Sequence, residues 1–335
     1  MNFGPIKKII LFGGTYLLTY AADFLMDNEV EIYVFSSTRH LKDKIDEHQT
    51  LKQYLQKNNI KYFSSADINQ DQDLAHMVDE QSLGISFSAP WIFKKNTIDL
   101  FNGKLVNLHQ TKLPEYGGGG GFSWQIMGQS KIGCSTIHLI DQGVDTGNII
   151  ATMELNFPDD CQKPIERINY MKPENKKFVS KFLGQILNNF DFASQLQDQS
   201  KSTYFPRLNT ERHGYIDWTW SASQINSFIC AFDEPYAGAS TFFKSKRIFL
   251  KDSMYDPTIK SFHPFQAGLV YRKHNESLYI AALEGSLVVK QVLDSDGNNL
   301  MDKIKPGHRL TTPKELLEKA LEEFTIYTSE GLKNT

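Results

Sequence analysis

Short apolar segments alternate with helical segments through the first third of the chain, and this alternation limits the fold more than any other feature. Ile6–Gly14 is an apolar run closed by two glycines, Thr15–Asn28 has helical spacing, and Glu29–Ser37 is again apolar. The pattern continues as helix 41–57, strand 61–65, helix 71–80, strand 83–89, helix 94–103 and strand 104–110. It predicts an α/β fold with a Rossmann-like, mostly parallel sheet and helices on both faces.

The alternation stops after about residue 200, where the pattern changes to one helical segment followed by several short apolar segments with turn residues between them. Such spacing predicts a smaller, mainly β domain of the barrel or sandwich type. The length of 335 residues also exceeds what a single core normally fills. We therefore expect an N-terminal catalytic domain, residues 1–205, and a C-terminal domain, residues 206–335, that ends in a helix.

Charge and cysteine content restrict the partners and the compartment. The net charge of −3 and the pI near 6.3 argue against a polyanion as the main partner, but they leave a nucleotide-sized ligand open. The three cysteines have no metal-type spacing and fit a reduced, cytoplasmic protein. The apolar run near the N-terminus is too short for a signal sequence or a membrane span, so no membrane partner is expected.

The fifth predicted strand ends in polar side chains that suit catalysis. Asn107 and His109 are two positions apart, so their side chains point to the same side of the sheet, at the strand end where α/β proteins bind ligands. A neutral histidine can take a proton, and an amide N–H can stabilise an oxyanion. Asp141 and Asp145 follow on a glycine-containing loop and could supply a carboxylate. The alternative is a strand-end pair with structural hydrogen bonds only.

Two glycine clusters are consistent with either a ligand-binding role or a structural role. Gly13 and Gly14 either allow a phosphate to approach a helix N-terminus or simply make the turn between strand and helix. The run Gly117–Gly121 contains more glycines than a turn requires. It indicates a ligand or loop close to the backbone, a segment that moves, or a flexible connection.

Three further groups of residues have open interpretations. Arg39 and His40 follow the second strand and suit either an anionic ligand or a solvated helix start. The triplet Trp91, Ile92 and Phe93 follows the fourth strand and suits either a ring pocket or the core. His138 alternates within an apolar strand, which favours a hydrogen-bonded core histidine.

The motifs NLHQTKLPEYGGGG and DQGVDTG, in that order, resemble those of the 10-formyltetrahydrofolate-dependent formyltransferases. The resemblance continues in GYIDWTWSASQINSFICAFDEPYAGA, which is similar to the start of the C-terminal domain of methionyl-tRNA formyltransferase and its sugar-modifying relatives. It implies a catalytic triad of Asn107, His109 and Asp145. The basic loop that methionyl-tRNA formyltransferases carry after the second strand is replaced here by SSTRHLKDKIDEHQ, which has mixed charge.

The resemblance is therefore strongest to the sugar N-formyltransferases, which modify nucleotide-linked dideoxy-amino-sugars, often dTDP-linked, for O-antigen and related surface glycans. It implies N10-formyltetrahydrofolate as co-substrate, no metal, and a homodimer. The co-substrate is expected at Trp91, Ile92, Phe93, Asp141, Gly143 and Asp145. The nucleotide-sugar is expected at Gly13, Gly14, Thr15, Tyr16, Arg39, Gly117 and Gly118. Methionyl-tRNA formyltransferase and a catalytically silent folate- or nucleotide-binding module are the alternatives.

Overall fold

A computed structural model describes residues 1–119, 121–259 and 261–333. The strands of the N-terminal part are β1 (Lys8–Gly13), β2 (Glu31–Ser36), β3 (Lys61–Ser64), β4 (Ser82–Phe87), β5 (Leu105–His109), β6 (Gly117–Gly118), β7 (Ile132–Leu139), β8 (Ile149–Asn156) and β9 (Tyr204–Phe205). Seven of them form one sheet in the order β3-β2-β1-β4-β5-β7-β8, and the two short strands, β6 and β9, pair with each other.

The sheet is mostly parallel, as predicted. Strands β1 to β5 run parallel to one another, whereas β7 and β8 extend the sheet beyond β5 in antiparallel fashion. The helices of this part are α1 (Tyr16–Asp27), α2 (Thr38–Lys42), α3 (Leu51–Lys57), α4 (Gln72–Met77), α5 (Lys95–Leu100), α6 (Gly121–Met127) and α7 (Pro164–Leu187). The antiparallel addition places β7 directly beside the strand that carries Asn107 and His109.

The first strand shows that both faces of the sheet are covered. Ile9 and Leu11 pack into a cluster with α1 and α7 on one face. Ile10 and Phe12 pack into a second cluster on the other face, and all four side chains are fully buried. Burial of each such side chain contributes about 1.5–3 kcal/mol, so the continuous apolar run stabilises a two-sided sheet.

The single helix predicted over residues 41–57 is wrong, because the structure has two short helices there. The Asp46 carboxylate accepts the backbone N–H groups of His48 and Gln49, which forms a turn in place of a helical segment. Thr50 and Gln53 then form a capping box that starts α3. Local side-chain hydrogen bonds thus interrupt the helical pattern.

The C-terminal part is mainly β and of barrel type, as predicted. Its elements are α8 (Thr210–His213), α9 (Ala222–Ala231), β10 (Ala239–Phe243), β11 (Lys246–Asp256), β12 (Val270–His274), β13 (Ser277–Ala282), β14 (Gly285–Leu293), α10 (Lys314–Glu322), β15 (Tyr327–Thr328) and β16 (Gly331–Leu332). The five main strands form an antiparallel sheet in the order β10-β11-β14-β13-β12, and residues 309–311 bridge to both edges, at Phe242 and Leu269. Helix α9 packs Ile225, Phe228 and Ile229 into its core.

Across the three described ranges, none of the helices combines the length and the apolarity that crossing a lipid bilayer requires.

Candidate active site

A cleft of about 720 Å³ opens at the carboxyl ends of β4 and β5. Its walls come from the segment after β4, the end of β5, the loop between β7 and β8, and residues near the start and end of the C-terminal part. Asn107, His109, His138 and Asp145 lie together on its floor. Cleft and polar cluster are therefore at the edge of the sheet where ligands of α/β proteins bind.

His109 is held between a backbone carbonyl and a carboxylate. Its Nε2 lies 2.8 Å from the carbonyl oxygen of Tyr116, and its Nδ1 lies 3.7 Å from Asp145 Oδ2. Burial lowers the pKa of His109 below its ordinary value of 6.5, although the Asp145 charge and the Tyr116 carbonyl act in the opposite direction. His109 is consequently neutral at pH 7 and able to accept a proton.

Asp145 is oriented by three neighbours. Its Oδ2 accepts the Gly118 N–H at 2.9 Å, and its Oδ1 lies 3.5 Å from His138 Nε2. Burial alone would raise the pKa of the Asp145 carboxyl, but His138 and His109, when protonated, and the Gly118 N–H outweigh burial and lower the pKa to about 2. The group is therefore a fixed negative charge beside both histidines.

His138 is buried, as expected, but it belongs to the site. In the antiparallel ladder His138 is the direct partner of Asn107, so both side chains leave the sheet on the same face. Asn107 Nδ2 lies 3.1 Å from His138 Nε2, and His138 Nδ1 lies 2.8 Å from the Leu139 carbonyl oxygen. With Nδ1–H donating to that carbonyl, Nε2 accepts from Asn107, which orients the amide.

The loop that carries Asp145 is shaped by its own side chains. Asp141 accepts the Gly143 N–H at 3.0 Å and the Thr146 hydroxyl at 2.6 Å. At Gly143 and Gly147 a Cβ would overlap Thr146 and the Leu139 carbonyl, respectively. Asp141 and Gly143 thus hold the loop and, with Asp145, line the cleft. Their role toward a folate remains a prediction.

The described part of the glycine run is packed against neighbouring backbone. Strand β6 pairs with β9, and a Cβ at Gly118, which has φ +90°, would overlap the Phe205 carbonyl oxygen. Gly119 lies against Arg207, and Gly121 lies against Thr111. Gly118 lines the cleft and Gly117 is not among its described lining residues; Gly120 lies outside the described residues. Close contact with neighbouring backbone and side-chain atoms explains why side chains are absent at these positions.

The predicted nucleotide-sugar residues of the first turn are not among the described lining residues of the cleft, although Gly13 lies against Ala89, which lines it. A Cβ at Gly13 would overlap the Phe87 carbonyl oxygen, and one at Gly14 would overlap His40. Thr15 caps α1 through its side chain, and the Tyr16 hydroxyl accepts from Asn175 Nδ2 at 3.3 Å. Close packing therefore accounts for these glycines, and a phosphate-binding role remains a prediction.

Arg39 extends from α2, with one guanidinium nitrogen 2.7 Å from His40 Nε2 and another 4.0 Å from Asp43. It is also absent from the described lining of the cleft.

The segment after β4 contributes aromatic and apolar side chains to the wall of the cleft. Trp91 donates its indole N–H to the Ala66 carbonyl at 3.1 Å, and the Phe93 ring packs edge-on against Phe12 in the core. Ile92 is 66 % exposed, and Val144 on the facing loop is 45 % exposed. All of these residues except Phe12 and Ala66 line the cleft. The segment offers apolar side chains, which fit the face of a pterin.

No group of three or more His, Cys, Asp or Glu side chains within residues 1–119, 121–259 and 261–333 is arranged to hold a metal ion.

Fold and site together define a two-domain α/β protein with a histidine, carboxylate and amide cluster suited to acyl-type transfer. Residues 7–188 match the family model described as formyl transferase, and residues 209–303 match its C-terminal domain. The chain belongs to the formyl transferase family.

Similar proteins differ in the acceptor that their names give. Methionyl-tRNA formyltransferase of Clostridium novyi (strain NT) is 26% identical over 203 residues, which are 60% of this chain and 63% of that protein. The alignment therefore spans about three fifths of that relative. The N-formyltransferase of Helicobacter canadensis, solved with folinic acid and dTDP-3-aminofucose, has a TM-score of 0.66 at 20% identity, covering 85% of this chain and 98% of that chain. WlaRD, a sugar 3N-formyl transferase solved with dTDP and 5-N-formyl-THF, has a TM-score of 0.65 at 22% identity, covering 85% and 97%.

Proposed function

We propose that this protein transfers a formyl group from N10-formyltetrahydrofolate to the amino group of a nucleotide-linked dideoxy-amino-sugar. The observation that carries the proposal is a neutral, largely buried His109 beside the ionised Asp145 and the amide of Asn107, at the floor of the cleft. A dTDP-linked acceptor and a place in the synthesis of O-antigen or another surface glycan, in the cytoplasm, belong to the same proposal.

His109 acts as the general base. The amine must lose a proton as its nitrogen bonds to the formyl carbon. Nε2 of His109 takes this proton once the acceptor has displaced the Tyr116 carbonyl and the ring proton has moved from Nε2 to Nδ1, beside Asp145. That carbonyl is then available to accept an N–H from the amine. Asp145, 3.7 Å from Nδ1, stabilises the imidazolium that forms. His109 returns the proton to the folate nitrogen when its bond to the formyl carbon breaks.

Asn107 stabilises the charge that develops on the formyl oxygen. Its amide nitrogen is fixed by His138 at 3.1 Å, and among the described residues no acceptor bonds to its second N–H, which can donate toward the cleft. A preorganised donor of this kind contributes about 3 kcal/mol to stabilisation of the transition state. The apolar and backbone surface at Trp91, Ile92 and Phe93 would hold the pterin, with the loop of Asp141, Gly143 and Asp145 opposite.

Two observations support a nucleotide-sugar as acceptor. Both solved proteins described above are N-formyltransferases whose structures were determined with a dTDP compound, and their chains match over 97% or more of their length. The segment after β2, where a tRNA-binding insertion is expected, folds into the short helices α2 and α3 with charges of both signs. A phosphate-rich tRNA requires a basic surface.

The test is a mass-spectrometric screen of amino-sugar nucleotides with thymine, uracil or guanine bases, each incubated with enzyme and 10-formyltetrahydrofolate. We expect one class of compound to gain a single formyl group. Methionyl-tRNA is included in the same screen. Formylation of tRNA alone, with tight and salt-sensitive tRNA binding, would overturn the choice of acceptor.

Methionyl-tRNA formyltransferase is the second candidate, and the sequence relatives favour it because they carry that name. A silent folate- or nucleotide-binding module is the third candidate. A single-turnover assay separates it from the enzymes, because a silent module binds folate without transferring the formyl group to any acceptor in the screen.

A further inference from the structure

The end of the chain forms part of the cleft although it lies beyond both family matches. We call residues 324–333 the C-terminal strap; the matches end at residues 188 and 303. The strap contains the hairpin of β15 and β16, and Phe324, Thr325, Ile326 and Tyr327 line the cleft. An element outside the family models therefore adds a wall to the site.

The strap is attached to both parts of the molecule. Ser329 donates its hydroxyl to the Ala66 carbonyl at 2.7 Å, the same oxygen that accepts the Trp91 indole N–H. At the other side Asn209 Nδ2 donates to the Tyr327 hydroxyl at 3.3 Å. Just before the strap, Arg212 forms an ion pair of 2.9 Å with Glu323. These bonds fix the strap across the cleft, from the sheet domain to the barrel.

Tyr327 holds one arginine of the cleft in place. The guanidinium of Arg207 lies 5.0 Å from the centre of the Tyr327 ring, and Arg207 lines the cleft. Among the described residues, no carboxylate forms an ion pair with Arg207. Stacking covers the face of a guanidinium and leaves its N–H edge free for a planar or tetrahedral anion. The glycine at 119 lets the β6 loop approach the Arg207 backbone.

Two further basic side chains are close to Arg207. Partial removal from water and the charge of Arg39 lower the pKa of the Arg207 guanidinium. Burial and the charges of Arg39 and Arg207 lower the pKa of His40 to about 4. Within the described chain, the Arg39 Nε and the His40 Nδ1 are buried atoms without a hydrogen-bond partner, and His40 is only 6 % exposed. Arg39 and His40 are not among the described lining residues of the cleft, so the charges of the two arginines, and not these donors, favour a ligand with several negative charges close together.

We infer that Arg207, oriented by Tyr327 of the C-terminal strap, binds the diphosphate of the acceptor, with Arg39 and His40 behind it. The inference rests on the proposed function, because it names where the nucleotide part of that acceptor is held. The glutamyl carboxylates of the folate share the same chemistry. A diphosphate fits two adjacent cations better than the glutamyl carboxylates do, because its negative charges are carried by two directly linked phosphate groups.

The test measures binding and not turnover. Isothermal titration with dTDP and, separately, with folinic acid compares wild type, Arg207→Ala, Tyr327→Leu and a chain ending at Glu323. We expect Arg207→Ala to weaken dTDP binding about 10- to 100-fold, as loss of a charged hydrogen bond implies. Tyr327→Leu and the truncation should weaken it several-fold, and folinic acid binding should not change. Melting temperatures confirm that each variant is folded.

The matched control is Arg272→Ala, since Arg272 also stacks on a tyrosine, at 3.6 Å from the Tyr279 ring, but on the barrel and outside the described lining of the cleft. It should bind dTDP like wild type. If Arg207→Ala binds dTDP like wild type, or loses folinic acid binding and keeps dTDP binding, the inference is overturned but the proposed function is not. UDP and GDP are also titrated into wild type. If wild type binds none of dTDP, UDP or GDP, the proposed acceptor fails and the inference fails with it.

Discussion

Replacement of Asp145 by asparagine removes one negative charge from the site and preserves an oxygen that can accept the Gly118 N–H. Asp145 Oδ2 is 3.7 Å from His109 Nδ1. At an effective dielectric constant of about 20, a charge pair at this distance interacts by about 4.5 kcal/mol. The neutral amide of the variant lacks this stabilisation of the His109 imidazolium, so we expect Asp145→Asn to lower the rate of formyl transfer by about 10³-fold.

The assay is single-turnover formation of formylated acceptor by rapid quench. Asp159→Asn is the control, because it removes the same charge from an exposed loop after β8. The pKa of His109, followed by nuclear magnetic resonance of the imidazole, should fall further in Asp145→Asn, since the Asp145 charge raises it in the wild type. A rate within tenfold of wild type, or an unchanged pKa of His109, would refute the role given to Asp145.

Three further outcomes follow from the same structure. At saturating acceptor, single-turnover rates should fall on acidification with an apparent pKa below 6.5, because the largely buried His109 must be neutral to act as base. A fall in rate with an apparent pKa above 6.5 would assign the titration to another group. His138→Leu should lower kcat about tenfold at similar KM in steady-state kinetics, because Asn107 loses its acceptor; unchanged kcat would make His138 structural only. In denaturant titrations Gly13→Ala should lower the free energy of unfolding by about 3 kcal/mol, because the new Cβ overlaps a β4 carbonyl at φ +105°. Gly103→Ala should lower it by about 1 kcal/mol, because Gly103 has φ +79° but open space around it. Equal losses of stability would contradict this steric argument.

The sequence pattern predicts the sheet and the strand-end pair because both depend on local periodicity. Alternation along β5 places Asn107 and His109 on one face, and the structure has both side chains at the floor of the cleft. The apolar run of β1 likewise predicts a strand buried on both sides. These features follow from the two-residue repeat of a strand and from burial.

His138 could not be recognised as a site residue because its position depends on a register between distant strands. Its neighbours in sequence are apolar, and only the antiparallel pairing of β7 with β5 places it opposite Asn107. The position of Arg207 depends in the same way on the β6–β9 pairing and on a segment more than one hundred residues later. Contacts of this range leave no periodic pattern in the sequence.

The glycine run shows a different limit of sequence reasoning. A ligand, a moving segment and close backbone packing all require glycine, so composition does not distinguish them. The structure shows β6 paired with β9, and Gly118 donates to Asp145. Gly118 of the run thus helps to orient the Asp145 carboxylate. The sequence does not show this contact, because it depends on how the glycine run and the loop of Asp145 pack together.

The most direct test of the central claim is the single-turnover rate of His109→Asn with 10-formyltetrahydrofolate and the amino-sugar nucleotide found in the screen. His76→Asn is the control, since His76 is exposed on α4 and is not among the described lining residues of the cleft. We predict that His109→Asn loses about 10²- to 10⁴-fold in rate while its melting temperature and dTDP binding stay close to those of wild type. Near-normal turnover by His109→Asn would contradict the assignment of His109 as the base.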